Sequence, residues 1–333
     1  MGPMHCKILG IVQYFNLFLT AIAYNITGGV SMQDFAETYC GEEGGCFSTY
    51  WIFCVIFAVV QLVLSQLPNM DSLWWMSGIG TLMAFFYSII TLALSISVGN
   101  THGTWDGIPN TPEKRMWSAF NAIGAIVFAF SFSFILVEIA DTIRSDKRGI
   151  VYHAKKATDI SMIIISGFYI AVSVAGYMAF GNSVCNNVIS CFDHPAWVIR
   201  MTALFVLIHM LSAYQVFSQP VFYLTETTVG KKFNKYGAWA FRFTFRCAYV
   251  AFVAFVSICL PFFSDIVGLI GAIGFWPATI YYPVEMYILN NNPSRKKVIA
   301  LQILNAFCCI VTILAVAGSI QLIIASSATY KLF

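Results

Sequence analysis

A bundle of membrane-spanning helices, all-α in class, is what this chain predicts, and three observations predict it. The 333 residues are 59% apolar and 10% charged, where soluble domains run near about 45–50% and about 25%. Mean hydropathy is +0.77. The apolar residues also gather into nine runs close to the ~20 residues that a helix needs to cross a bilayer, where each backbone polar group must be satisfied within the segment. Aromatic content of 16% and a net charge of +3 exclude a disordered chain. Basic residues are few and sit in loops on one side, which argues against nucleic acid as a partner.

The runs follow in order. Ile8–Met32 is longer than a signal-peptide core and no small-residue cleavage site follows it, so it reads as a span. Thr49–Leu67 is the second, and Leu73–Gly99 opens on Trp74 and Trp75, which with Trp117 and Trp276 read most simply as aromatic anchors for a membrane interface. Trp117–Ala140 is the least regular, because Gly124, two serines and alternating phenylalanines occupy its centre. Thr158–Gly181, Ala196–Thr225 and Ala240–Phe263 follow. Asp265–Asn290 carries Gly268, Gly271 and Gly274, which permit close helix approach, and Pro277 and Pro283, which should bend it. Val298–Ser326 is the ninth. Runs this continuous do not suit barrel strands of ~10 alternating residues.

Loop charge predicts orientation. A cytoplasmic amino terminus puts 14 of the 18 basic residues inside, including Arg144, Lys147, Arg148, Arg242, Arg246 and Arg295–Lys297. Only Lys114, Arg115, Arg200 and Lys331 remain outside, with the carboxyl terminus. The plasma membrane is the expected location. Cys40 and Cys46 then share one external loop, and Cys185 and Cys191 another, where oxidation persists. Local pairs, pairing across the loops and free thiols are all open. No metal site is expected, since no histidine or second cysteine pair completes either set.

Within the spans, His209 is the one ionisable residue far from a helix end. It reads either as a proton or ligand contact or as a neutral imidazole bonded to a neighbouring helix. Phe128, Phe130, Ser131 and Ser133 offer rings and hydroxyls at a point where the fourth span could break. A mid-membrane break frees N–H and C=O groups for an amino acid's charged ends. The alternative is an intact helix with its serines bonded back to their own turn. Thr20 and Tyr24 share one face of the first span, and Ser212 lies one turn beyond His209. Asn25-Ile-Thr27 matches a glycosylation signal but lies within a span. No phosphate loop, zinc-protease motif or clustered carboxylate pair is present, so neither an enzyme nor a cofactor is expected.

Seven blocks then stand in sequence: Gln13-Tyr-Phe-Asn-Leu-Phe18; Leu64-Ser-Gln-Leu-Pro-Asn69 with Leu73-Trp-Trp75; Phe128-Ala-Phe-Ser-Phe-Ser133 with Glu138-Ile-Ala-Asp-Thr142; Lys155-Lys-Ala-Thr158; Gly176-Tyr-Met-Ala-Phe-Gly181; His209-Met-Leu-Ser-Ala-Tyr-Gln-Val-Phe-Ser-Gln-Pro220; and Pro261-Phe-Phe-Ser-Asp265 running to Gly274-Phe-Trp-Pro277 and Tyr282-Pro-Val-Glu-Met-Tyr287. Together they resemble the amino acid/auxin permease family, most closely its plant-type amino acid permeases. The resemblance implies a LeuT-like inverted-repeat bundle and proton-coupled amino acid uptake. Residues 8–99 would be helices three to five of the first repeat, 117–290 the second repeat, and 298–326 an extra helix. The family has two helices before the first block, and this chain begins after both, so the fold expected is an incomplete one. Where the family typically reads Gly-Asp-Ile-Ala-Phe-Ala-Tyr-Ser-Tyr-Ser, Ala125 replaces the acid and Phe130 and Phe132 replace tyrosines.

The expected function is therefore secondary transport of amino acids across a lipid bilayer, coupled to protons. Thr20, Tyr24, Phe128, Phe130, Ser131, Ser133 and Ser212 are the expected substrate contacts, and His209 the expected proton carrier. Neutral or aromatic substrates are favoured, because the spans hold no carboxylate or base to pair with a charged side chain. The rival reading is a non-transporting sensor or assembly partner that kept the bundle. With one broken helix supplying only part of a zwitterion's partners, the 333 residues alone are not expected to concentrate substrate.

Overall fold

The computed structural model describes residues 2–40, 49–67, 73–99, 111–130, 132–143, 149–185, 187–260 and 262–328. All the regular elements among them are helical. In order these are α1 (Pro3–Cys40), α2 (Tyr50–Leu64), α3 (Trp74–Val98), α4 (Pro112–Ala129), α5 (Ser133–Asp141), α6 (Ile150–Phe180), α7 (Ala196–Thr228), α8 (Lys235–Cys259), α9 (Phe263–Gly274), α10 (Tyr282–Asn291) and α11 (Arg295–Ser327). A π-helical segment, Phe275–Tyr281, joins α9 to α10.

Eight segments among the described residues are long and apolar enough to cross a membrane, with α4 and α5 counted together as Pro112–Asp141. The second expected span differs. Its helix α2 has 15 residues, about 22 Å at ~1.5 Å per residue, short of the ~30 Å hydrocarbon core. The Gln66 and Leu67 amides reach only three residues back, to Val63 and Leu64, so the chain tightens out of the α-helix ahead of Pro68.

The helices gather into two compact units. The first comprises Met1–Ala23, Asn110–Glu138 and Cys259–Phe333. Here α4 packs on α9 and α11, and α9 on α11. The glycines expected to allow close approach do so: a Cβ at Gly271 would stand 2.6 Å from the Phe128 amide nitrogen, and one at Gly268 2.9 Å from the Asn121 carbonyl oxygen. Side chains tie the contact further, since Ser319 Oγ donates to Asn121 Oδ1 at 2.8 Å and Asn16 Nδ2 to the Ile270 carbonyl at 3.1 Å. Pro277 widens the helix rather than ending it. The Tyr282 amide bonds to the Pro277 carbonyl five residues back, the spacing of a π turn. Trp276, expected as an interface anchor, instead donates its indole N–H to Asn305 of α11.

The second unit comprises Tyr24–Pro109 and Ile139–Ile258. In it α3 packs on α6 and α7, and α2 on α7. The second half of α1 lies against α2, where Gly29 leaves only enough room for Cys54 Sγ. Asn25 is buried in this stretch, so its sequence signal is not an accessible glycosylation site.

Candidate functional site

A cavity of about 920 Å³ opens in the second unit, a size in the range of small-molecule sites, about 300–1,000 Å³. Its walls are Leu73–Thr81 of α3, the His209–Phe217 face of α7, Tyr24 of α1 and the Ile139–Ile143 end of α5. Three expected site residues, Tyr24, His209 and Ser212, therefore share one cavity. Two short bonds fix the α7 wall. His209 Nδ1 lies 2.9 Å from the Gly80 carbonyl oxygen, and Ser212 Oγ donates to the Met76 carbonyl at 2.9 Å. Gly80 makes this possible, because a Cβ there would stand 2.8 Å from both Cβ and Oγ of Ser212. The ring of Tyr87 meets His209 edge-on at 5.8 Å, and Tyr24 meets Phe217 at 5.3 Å. The α7 wall thus sets His209 and Ser212 beside the apolar Ala213, Val216 and Phe217.

The first unit holds a second group of expected residues. The fourth span does break: α4 ends at Ala129 and α5 begins at Ser133, with turns at Phe130 and Phe132. Phe128 and Phe130 are half-buried at this break. Ser133 Oγ and Thr279 Oγ1 share a hydrogen bond of 2.7 Å, which joins the start of α5 to the π-helical segment. Two departures from regular helix thus meet through one hydroxyl pair. Thr20 is buried and donates to the Asn16 carbonyl of its own helix at 2.8 Å, so its proton is committed there. Ser131, Cys46 and the side chain of Cys40 lie outside the described residues. Cys185 and Cys191 form a disulfide, whose loop is held by Ser190 donating to Asp34 at 2.8 Å.

The sequence pattern of the transmembrane amino acid transporter protein family matches residues 1–325. The chain belongs to that family. It is 34% identical over 366 residues to amino acid permease 4 of Arabidopsis thaliana, covering 100% of this chain and 78% of that protein. Amino acid permease 2 of the same plant is 33% identical, with 100% and 74% covered. Lysine histidine transporter-like 6 is 33% identical over 319 residues, with 94% and 71% covered. No solved structure matches. This family and these relatives are transporters rather than enzymes.

Several polar groups of this family member escape a sequence reading. Ser77 and Thr81 line the cavity from α3, and Asp141 and Thr142 from the end of α5. Helical spacing of Ser77 and Thr81 with the cavity-facing Gly80 was the available signal. A larger correction concerns Arg246, expected among the topology-setting charges. It is 1% exposed, three turns inside α8. Its Nε donates to Glu226 at 2.6 Å, and its Nη1 donates to the carbonyls of Ser65 and Leu67. Among the described residues, the helices therefore bury an arginine that faces a glutamate, besides the half-buried histidine.

Proposed function

We propose that the chain exchanges amino acids across a membrane as a proton-coupled secondary transporter. The observation that carries this is the cavity joining Tyr24, His209 and Ser212 in a member of the transmembrane amino acid transporter family. A zwitterion leaving water needs substitute donors and acceptors, because each unsatisfied group costs several kcal/mol. Hydroxyls, an imidazole and backbone groups supply them here. Leu73, Val216, Phe217 and Tyr24 leave an apolar and aromatic lining for the side chain, which favours neutral or aromatic substrates. Asp141 stands exposed at the end of α5, so its charge remains hydrated.

His209 is the group proposed to carry the proton, and in the first unit Thr20, Phe128, Phe130, Ser131 and Ser133 are proposed as substrate contacts. The same reading takes residues 8–99 and 117–290 as parts of two inverted repeats, and sets the chain in the plasma membrane with its amino terminus cytoplasmic and its carboxyl terminus outside. Counterflow in vesicles carrying the chain tests it. Phenylalanine or leucine inside should accelerate entry of labelled phenylalanine at least tenfold over arginine or glutamate inside. Equal or better counterflow with the charged amino acids overturns the substrate assignment. His209→Gln should exchange phenylalanine with a rate that no longer varies between pH 5.5 and 7.5, and an unchanged pH profile removes His209 from coupling.

A further inference from the structure

The hydrogen bonds that hold α7 to α3 also decide what α7 offers to the cavity. A carbonyl oxygen only accepts, so the His209 nitrogen 2.9 Å from the Gly80 carbonyl must carry a hydrogen, in the neutral as in the charged ring. In the neutral ring Nε2 is then a bare lone pair, and no group among the described residues bonds to it. Ser212 has one hydroxyl proton and gives it to the Met76 carbonyl, so its oxygen can only accept a further bond. One turn on, Pro220 has no N–H to return to the Val216 carbonyl, the residue four before it, and Val216 lines the same cavity. Residues 209, 212 and 216 fall on one helical face. Among the described residues, each of these three cavity-lining residues keeps an acceptor that no helical or α3 donor uses, and the side-chain donors of His209 and Ser212 are already spent on α3.

We infer that this acceptor stripe binds the substrate's ammonium group, and that a proton and the ammonium group take His209 Nε2 in turn. The inference rests on the function proposed above and assigns the substrate's orientation within it. A carboxylate has no donor on this wall to receive it. Once Nε2 is protonated, the ring is cationic and opposes an ammonium group beside it. Tyr87 of α3 meets the His209 ring, and Tyr24 of α1 and Asp141 at the end of α5 line the same cavity. A phenol ordinarily titrates at about 10, well above an imidazole at about 6.5.

The test is displacement of labelled phenylalanine from the full chain by two half-substrates: phenethylamine, which keeps the amine, and 3-phenylpropionate, which keeps the carboxylate. Phenethylamine should compete at least tenfold better at pH 7.5, and its advantage should fall about tenfold by pH 5.5. His209→Asn keeps a donor near the Nδ1 position but removes Nε2, so the amine's advantage should vanish. His209→Gln returns an acceptor near Nε2, and the advantage should reappear without its pH dependence. Pro220→Ala restores a helical donor to Val216 without touching either side chain, and should weaken phenethylamine severalfold. Binding is scored per folded protein, so misfolding of one variant leaves the others decisive. Equal competition by the two half-substrates, or an unaltered amine preference in both His209→Asn and Pro220→Ala, overturns the inference while phenylalanine binding stands. If phenylalanine itself does not bind, both the inference and the proposed function fall.

Discussion

Gly271→Ala is expected to abolish most of the folded protein, whereas Gly10→Ala should leave it unharmed or slightly more stable. At position 271 the new methyl would stand 2.6 Å from the Phe128 amide nitrogen and 2.7 Å from its Cβ, and would overlap the Gly124 carbonyl. These are backbone atoms or atoms fixed to it, so no rotamer change relieves the clash. Overpacking generally costs about 1–3 kcal/mol and sometimes more, and the upper end applies where only a helix shift can make room. Gly124→Ala meets the Gly268 carbonyl in the same way. Gly10 and Gly78 lie in helices with nothing within 4 Å of a Cβ, and alanine there gains up to about 1 kcal/mol of helix propensity. Thermal unfolding in detergent, followed by size-exclusion chromatography, compares the four variants. Wild-type melting of Gly271→Ala would show that α4 and α9 do not touch along their backbones. The contact bears on function because α4 runs directly into the break at Phe130, so α9 sets where that break lies.

That the fourth span could break was legible in the sequence, with an intact helix equally open, and so was the glycine contact. Both are written locally: Gly124, the serines and the alternating phenylalanines weaken one stretch of helix, and glycines three apart mark a face that can be approached. The length of eight apolar runs was legible for the same reason. What was not legible depends on pairs far apart in the chain. Arg246 looks like any basic residue near a span, yet Glu226 lies 20 residues away and the Ser65 carbonyl 181. Trp276 has an anchor's composition, and only Asn305 on another helix shows that its N–H points inward. His209 and Ser212 could be named from sequence, but not that both bond to α3 backbone carbonyls. That pairing needs Gly80 as the point of contact. The shortness of α2 was missed because hydropathy continues through Leu67 after the helix has tightened.

Arg246→Met should destabilise the second unit by about 3–5 kcal/mol, the range for removing one partner of a buried pair. The guanidinium does three things at once. It neutralises Glu226, whose side chain is 21% exposed, it caps α2 by binding the Ser65 and Leu67 carbonyls, and it lies 4.9 Å over the Phe222 ring. Arg242, one turn earlier on α8, donates to the Gln66 and Leu67 carbonyls and pairs with Glu226 at 3.8 Å, a longer contact than Arg246's 2.6 Å, so it compensates for only part of its neighbour's loss. Arg246→Lys should recover less than half of the loss, because an ammonium group lacks the planar fork that serves a carboxylate and two carbonyls together. Glu226→Gln in the Arg246→Met background should restore part of the stability by removing the stranded charge, and a double-mutant cycle of melting temperatures measures that coupling. Strict additivity of the two substitutions, or wild-type melting of Arg246→Met, would show that the pair is not formed. The cluster continues into Gln215 of α7, whose Nε2 donates to Gln61 at 2.6 Å and to Ser65 Oγ at 3.1 Å. Through Gln215 the charge on α8 fixes the back of the same helix whose front lines the cavity. Arg246→Met should therefore also weaken phenylalanine binding per folded protein, although the guanidinium is absent from the cavity wall.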